Sequence, residues 1–156
     1  MNTWIDWRIK TEKQKILQKN PLSLAYLGDA VYEVMVRDYI MNFCDVKTSK
    51  MHKISVNIVS APAQSKALAL IRDVLTNEEK IIVKKGKNSK SPAPKNATFT
   101  EYSDATALET LFGYLSLSGQ EDRIKELFAI ISKNQIKSEV ENSLNNRQAS
   151  EINIKL

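Results

Sequence analysis

Residues 20–33 read Asn-Pro-Leu-Ser-Leu-Ala-Tyr-Leu-Gly-Asp-Ala-Val-Tyr-Glu, and this stretch decides the fold. Asn20 is a favoured N-cap and Pro21 a favoured first helical residue, so a helix is predicted to begin here. Apolar residues then recur at steps of three and four, which predicts one long helix over 21–42. Gly28 lies inside that helix, although glycine weakens a helix interior by about 1 kcal/mol relative to alanine. We therefore expect another backbone to approach closely at Gly28.

Two acids stand in similar surroundings. Asp29 follows Gly28, and Glu109 has small residues four positions before and after it, at Ala105 and Gly113. Each carboxylate is therefore expected to project from a helix face with little bulk. Two helices that cross at these positions bring the carboxylates together, and paired carboxylates near phosphate supply the oxygen ligands that Mg²⁺ prefers. Spacing alone leaves a second interpretation open, in which both are ordinary surface acids.

Helical periodicity continues along the rest of the chain, and no segment alternates apolar and polar residues as a strand does. Further helices are predicted over 48–58, 63–75, 76–85, 103–118 and 121–133. Thr76 followed by Glu79 is typical of a capping box, and Gly86 suits the C-terminal cap of the same helix. The fold class is therefore predicted to be all-α, a helical bundle.

The domain organisation follows from the same pattern. Residues 1–19 are predicted to form an N-terminal arm or helix, and residues 20–139 a single main domain. Residues 140–156 are rich in Asn, Ser and Gln and have weak periodicity. A frayed or disordered tail is expected there.

Composition excludes several classes of protein. The chain has 156 residues, 42% of them apolar, and one cysteine, Cys44, which excludes an intrachain disulfide framework and a multi-cysteine zinc site. Cys44 is interpreted as a small buried hydrophobe. No apolar run reaches the roughly 18 residues of a membrane span, so no membrane partner is expected. Early acids argue against a secretory signal, and a cytoplasmic location is the expectation.

A basic stretch precedes the helix of Glu109. Five lysines lie between Ile81 and Thr100 with no acid among them, and the net charge of the whole chain is also +5. Mobile lysines beside Gly, Asn and Ser can follow a phosphate backbone, although a solvated loop is the alternative. The candidate nucleic-acid contacts are Lys84, Lys85, Lys87, Asn88 and Lys90. His52 is a further candidate, either as a phosphate contact or as a packed helix residue.

A known family shares these motifs in the same order. Residues 24–33 resemble the signature helix of ribonuclease III catalytic domains, and residues 108–119 resemble the second acidic helix of that family. Residues 20–22, 52–64 and 84–90, followed by 106–114, are similar to its compact Mini-ribonuclease III branch, which lacks a separate double-stranded-RNA-binding domain. The resemblance covers roughly residues 20 to 133.

The resemblance implies a function and a set of site residues. It implies an all-α homodimer that cleaves double-stranded RNA, with precursor 23S ribosomal RNA as substrate and Mg²⁺ as cofactor, for which Mn²⁺ substitutes. Asp29 matches the catalytic acid, which also holds metal, and Glu109 matches the metal-binding glutamate. Residues 20–139 are then the catalytic domain. An accessory ribosomal protein is left open as a partner.

The sequence departs from the family at two positions. Ordinary ribonuclease III has further acids four residues before the first and three before the second, where this chain has Ala25 and Thr106. Asp104 lies five residues before Glu109, about 140° around the helix. The resemblance therefore implies a reduced carboxylate set, in which water or substrate phosphate completes the coordination.

Two rival functions stay open on the sequence. One is a non-catalytic module of the same fold that binds structured RNA, and the other is a helical protein-interaction domain with a merely solubilising lysine loop. Retention of both Asp29 and Glu109 weighs against a pure binder, since acids that face phosphates do not help it bind. Mg²⁺-dependent cutting of an RNA duplex separates the three.

Overall fold

The computed structural model describes residues 11–89, 92, 95 and 97–153, with side chains as far as residue 146. The described residues form eight α-helices and no strand, which confirms the all-α prediction. In chain order these are α1 (Lys13–Leu17), α2 (Pro21–Phe43), α3 (Thr48–Val59), α4 (Ala61–Ile71), α5 (Asn77–Lys87), α6 (Phe99–Leu117), α7 (Glu121–Ile131) and α8 (Lys137–Asn153). A 3₁₀ turn, Arg72–Val74, follows α4, and a π-helical segment, Ser132–Ile136, joins α7 to α8.

Helix α6 is the centre of the molecule. It packs along α2, α4 and α5, and twelve of its residues are buried. Leu108, Leu111, Phe112 and Leu115 join the main apolar core. Because a helix that is apolar on most sides must be enclosed by others, α6 becomes the axis on which the remaining helices are arranged.

The predicted helix starts agree with the observed caps. The Asn20 side chain accepts a hydrogen bond from the Leu22 N–H, with Pro21 as the first residue of α2. Thr76 and Glu79 form the expected capping box at the start of α5. Glu79 also accepts hydrogen bonds from Arg123 of α7, which ties the two helices together.

Gly86 does not cap α5, which corrects the prediction. Helix α5 continues to Lys87, and Gly86 is buried against α6. A Cβ at this position would lie 2.7 Å from the Ala107 Cα, so glycine is needed for close packing rather than for a turn. The basic stretch therefore begins inside a helix, because Lys84, Lys85 and Lys87 are residues of α5.

The C-terminal segment also differs from the prediction. A frayed tail was expected from residue 140, but the backbone is helical as far as Asn153. Ile136 and Val140 are buried, and Leu144 packs on the core. Their spacing of four places them on one face of the helix, so burial of this narrow stripe anchors a segment whose composition is mostly polar.

The described residues contain no single helix that is long and apolar enough to cross a membrane. Helices α3 and α4, together with the 3₁₀ turn, pass the same test of length and composition only as a pair bent by 57°. Ile54, Ile58 and Leu68 of these two helices belong to the core described above.

Candidate active site

Helices α2 and α6 cross at two glycines. A Cβ on Gly28 would lie 2.8 Å from the backbone nitrogen of Gly113 and would overlap the carbonyl oxygen of Glu109. A Cβ on Gly113 would overlap the carbonyl oxygen of Leu24. The predicted close approach at Gly28 is therefore present, and it places Asp29 beside the helix that carries Glu109.

The two carboxylates interact across this crossing. Burial raises the pKa of Glu109, the negative charge of Asp29 raises it further, and the result is about 7. Asp29 is exposed, yet partial desolvation and the charge of Glu33 also raise its pKa. Repulsion between close carboxylates disfavours ionisation of both, and a cation between them would relieve it.

Gln64 of α4 lies beside Glu109 and is a site residue that the sequence analysis missed. It is buried, and its amide lowers the pKa of Glu109, opposite to the effect of burial and of Asp29. A signal for it exists in the sequence. Gln64 occupies the apolar stripe of α4 that also contains Ala67, Leu68 and Ile71, and a polar residue in such a stripe needs a partner.

The donor set fits a cation that takes few protein ligands. No third Asp, Glu, His or Cys of the described residues completes a metal-binding cluster with the pair. Ala25 and Thr106, which stand where ordinary relatives have acids, are both buried, and Thr106 donates its hydroxyl to the Tyr102 carbonyl. Mg²⁺ is commonly held by one or two carboxylates, with water and substrate phosphate in the remaining positions.

Asp104 faces away from the acid pair, as the helical spacing predicts. It accepts a hydrogen bond from Ser65 of α4 at 2.7 Å and forms an ion pair with Lys87 at 2.7 Å. Burial raises the pKa of Asp104, but the bonds from Lys87 and Ser65 outweigh it and hold the pKa below its usual value. The charge of Lys87 is therefore already paired within the protein.

The structure brings three of the predicted RNA contacts together. Lys84, Lys85 and Asn88 line a cavity of about 690 Å³ with the N-terminal residues of α2, among them Asn20 and Pro21. Both lysines are exposed, and neither forms an ion pair with a described residue. Lys90 lies outside the described residues.

His52 lies elsewhere on the surface. It is exposed on α3 and lines a cavity of about 250 Å³ with Arg37, Met41 and Thr48 of the described residues. None of these belongs to the acid pair or to the lysine cavity. Because His52 is exposed, its interpretation as a packed helix residue is wrong. Its role as a phosphate contact stays a prediction.

Comparisons with known proteins show which family and fold this chain shares. The model of the ribonuclease III domain family matches residues 22–120, a segment that contains both acids. The Mini-ribonuclease 3 of Enterococcus faecalis is 42% identical over 113 residues, 70% of this chain and 86% of the relative. That of Brevibacillus brevis is 45% identical over 117 residues, 72% of this chain and 87% of the relative. A crystal structure of a Fusobacterium nucleatum protein, 33% identical, superposes with a TM-score of 0.72 and covers 80% of this chain and all of that one.

Proposed function

This chain belongs to the ribonuclease III family, in its Mini-ribonuclease 3 branch, and from that premise we propose a Mg²⁺-dependent homodimer that matures precursor 23S ribosomal RNA. Its activity is that of an endoribonuclease on double-stranded RNA. The observation that carries the choice of cofactor is the crossing of α2 and α6 at Gly28 and Gly113, which brings the Asp29 carboxylate near the Glu109 carboxylate. Burial first, and then the charge of Asp29, raise the pKa of Glu109 to about 7.

The two acids have different surroundings and therefore different proposed roles. When bound, Mg²⁺ supplies positive charge that acidifies a water molecule and neutralises the phosphate. Glu109, a half-buried residue of α6 with Gln64 of α4 beside it, is the more enclosed of the two ligands. Asp29 is exposed, so it both holds the cation and orients the attacking water toward the phosphorus. Neither role needs a further protein acid.

The lysine cavity supports a role in holding the RNA backbone. Lys84 and Lys85 are free cations among the described residues, and Asn88 adds a side-chain amide on the same wall. The N-terminus of α2, whose first N–H groups carry partial positive charge, lines the same cavity. We propose that phosphates of the duplex bind here, at the end of the helix that carries Asp29.

The exposed face of α2 supports the proposed homodimer. Tyr26 is 85% exposed and Met41 64%, and Val34 lies between them on the same side of the helix. Ala30, also exposed, completes this apolar stripe. A duplex has an approximate twofold axis, so a C₂ dimer offers one acid pair to each strand. We propose that the stripe of Tyr26, Ala30, Val34 and Met41 is the centre of the dimer interface.

The remaining parts of the proposal concern substrate, location and domain limits. Similarity to the Mini-ribonuclease 3 branch supports precursor 23S ribosomal RNA as substrate, and we propose a cytoplasmic location, in keeping with such a substrate. An accessory ribosomal protein that shapes this RNA is proposed as a further partner. Residues 20–139 are proposed as the catalytic domain, and the matched family region, 22–120, lies within them.

Cleavage of a defined RNA tests the proposal. A 23S precursor stem and a generic duplex of equal length are incubated with the protein in Mg²⁺, in Mn²⁺ and in EDTA, with single-stranded RNA as control. We expect cutting of both duplexes with either metal, faster cutting of the precursor stem, and none in EDTA. Retention of RNA in a shift assay without any cleavage would favour the rival RNA-binding module. Equal cleavage rates on the two duplexes would show that the 23S precursor is not the preferred substrate.

A further inference from the structure

Gln64 is a buried polar side chain to which the proposed mechanism assigns no role. It is 1% exposed on α4, and its Nε2 atom has no hydrogen-bond partner in good geometry among the described residues. A buried amide nitrogen without a well-formed hydrogen bond destabilises the folded state, and leucine or methionine at the same position would avoid this cost. The presence of an amide at such a position therefore points to a functional reason.

The surroundings of Gln64 locate it at the acid pair. Its neighbour Ser65 donates to Asp104 of α6 at 2.7 Å, which fixes how α4 lies against α6. Burial and Asp29 raise the pKa of Glu109, and the Gln64 amide opposes both. The amide is thus adjacent to the Glu109 carboxyl and favours its charged form.

Other polar groups nearby are already engaged. Thr106 donates its hydroxyl to the Tyr102 carbonyl at 3.0 Å, and Thr110 donates to the Thr106 carbonyl at 2.7 Å. Ala25, on the α2 side, has no polar atom in its side chain. The two threonine hydroxyls are therefore engaged, whereas the Gln64 amide nitrogen has no such partner among the described residues.

We infer that Gln64 is a positioning residue: its side-chain amide donates to the Glu109 carboxylate and fixes the direction in which that carboxylate faces Asp29. Partners that orient a metal-binding carboxylate are commonly as important as additional ligands. In this chain the amide then compensates in part for the acids replaced by Ala25 and Thr106. The inference rests on the proposed function and names a residue of the same site.

Two matched variants test it. Gln64→Met keeps the length of the side chain and removes the amide. Gln135→Met is the control, because the Gln135 Nε2 donates to the Ala63 carbonyl of the same helix at 2.9 Å without contact to the acids. For each variant we would measure kcat and KM on duplex RNA, the melting temperature, and Mn²⁺ binding by calorimetry without RNA.

We expect Gln64→Met to lower kcat and weaken Mn²⁺ binding, each by about 10- to 100-fold, with KM for RNA unchanged. Its melting temperature should stay close to that of the wild type, since methionine fills nearly the same buried space as glutamine. The control should keep kcat and Mn²⁺ affinity within twofold and lose thermal stability.

Several results would overturn the inference. One is unchanged Mn²⁺ affinity in Gln64→Met, and another is a loss of stability large enough to explain the loss of activity. If Gln64→Met does not fold, Gln64→Leu is measured in the same way, and failure of both shows that the amide only supports the core. If the wild-type protein binds Mn²⁺ but cuts no duplex, the proposed function is wrong. The calorimetric comparison of Mn²⁺ binding still tests the role of Gln64 in that case.

Discussion

A Cβ atom on Gly28 would overlap the carbonyl oxygen of Glu109, so the helices that carry the two acids touch backbone to backbone. This contact explains why glycine is present despite its cost inside a helix. It also explains the electrostatic coupling, since a wider separation of α2 and α6 would move Asp29 away from Glu109.

The crossing is expected to be intolerant of a single methyl group. Gly28→Ala should lower the free energy of unfolding by more than about 3 kcal/mol, because the new atom meets backbone rather than a movable side chain. Ser23→Ala, at an exposed position of the same helix, should change it by less than about 0.5 kcal/mol. Urea unfolding followed by circular dichroism measures both. Similar midpoints for the two variants would contradict the backbone contact.

Asp29→Asn should abolish cleavage without unfolding the protein. Loss of a cation ligand that also orients water should lower kcat by about 10³-fold or more. RNA binding should persist or tighten, because one charge that repels phosphate is removed. Asp38→Asn makes the same change at an exposed position of the same helix and should leave kcat near wild type. Full activity of Asp29→Asn at saturating Mg²⁺ would exclude its catalytic role.

The pH dependence of the melting temperature should reveal the raised pKa of the Glu109 carboxyl. Its pKa is raised to about 7 in the folded protein, so folding is favoured by a proton there. That contribution is complete below the ordinary glutamate pKa of about 4.3 and is lost as pH rises through about 7. In EDTA, the melting temperature of wild type should therefore fall from pH 5 to pH 8 more than that of Glu109→Gln.

Glu141→Gln, an exposed change on α8, serves as the control for this experiment. It should follow the wild-type decline. Mg²⁺ added at pH 8 should raise the melting temperature of the wild type, because binding to the folded state stabilises it, and should raise that of Glu109→Gln less. Parallel curves for wild type and Glu109→Gln would show that the carboxyl is not perturbed.

The lysines of α5 should separate into two kinds. Replacing Lys84 and Lys85 together by alanine should raise KM for duplex RNA, with kcat less affected. The slope of log KM against log salt concentration should fall by about two, one for each lost phosphate contact. Lys80→Ala, on the same helix but outside the cavity, is the matched control. Measurements of KM at two salt concentrations suffice. An unchanged salt slope in the double variant would show that Lys84 and Lys85 do not contact RNA phosphates and that RNA binds at another surface.

Lys87→Ala should act mainly on stability. It leaves the buried Asp104 carboxylate without its ion-pair partner, which we expect to cost about 1 to 2 kcal/mol. The salt slope of RNA binding should change by less than one unit, since the Lys87 charge is already paired. Thermal melting and the same KM series distinguish the two effects. If Lys87→Ala instead lowers the salt slope of RNA binding by a full unit and leaves the melting temperature unchanged, Lys87 contacts RNA phosphates.

The oligomeric state tests the apolar stripe on α2. Light scattering at micromolar concentration should give a mass twice that of the 17.7 kDa chain. Tyr26→Ser should shift the protein toward monomer, because Tyr26 is the most exposed large residue of the stripe. Phe99→Ser changes another exposed aromatic, at the start of α6, and should leave the dimer intact. A monomeric wild type with full activity would refute the proposed assembly.

Local chemistry in the sequence was enough to predict most helices. The N-cap of α2 at Asn20, the capping box of Thr76 and Glu79, and the apolar face of α6 all depend on residues within a few positions of one another. The pairing of Asp29 with Glu109 was also predicted, because small residues around each acid indicate a helix crossing. Such signals lie within one helix and need no knowledge of distant contacts.

Tertiary packing decided the rest. The role of Gly86, the partner of Lys87 and the position of Gln64 beside Glu109 all arise from contacts between different helices. Gly86 has the local signature of a helix end, yet the surface of α6 determines that the helix continues. Helix α8 was missed for the same reason, since a stripe of one apolar residue per turn is stabilised only when a core is present to bury it.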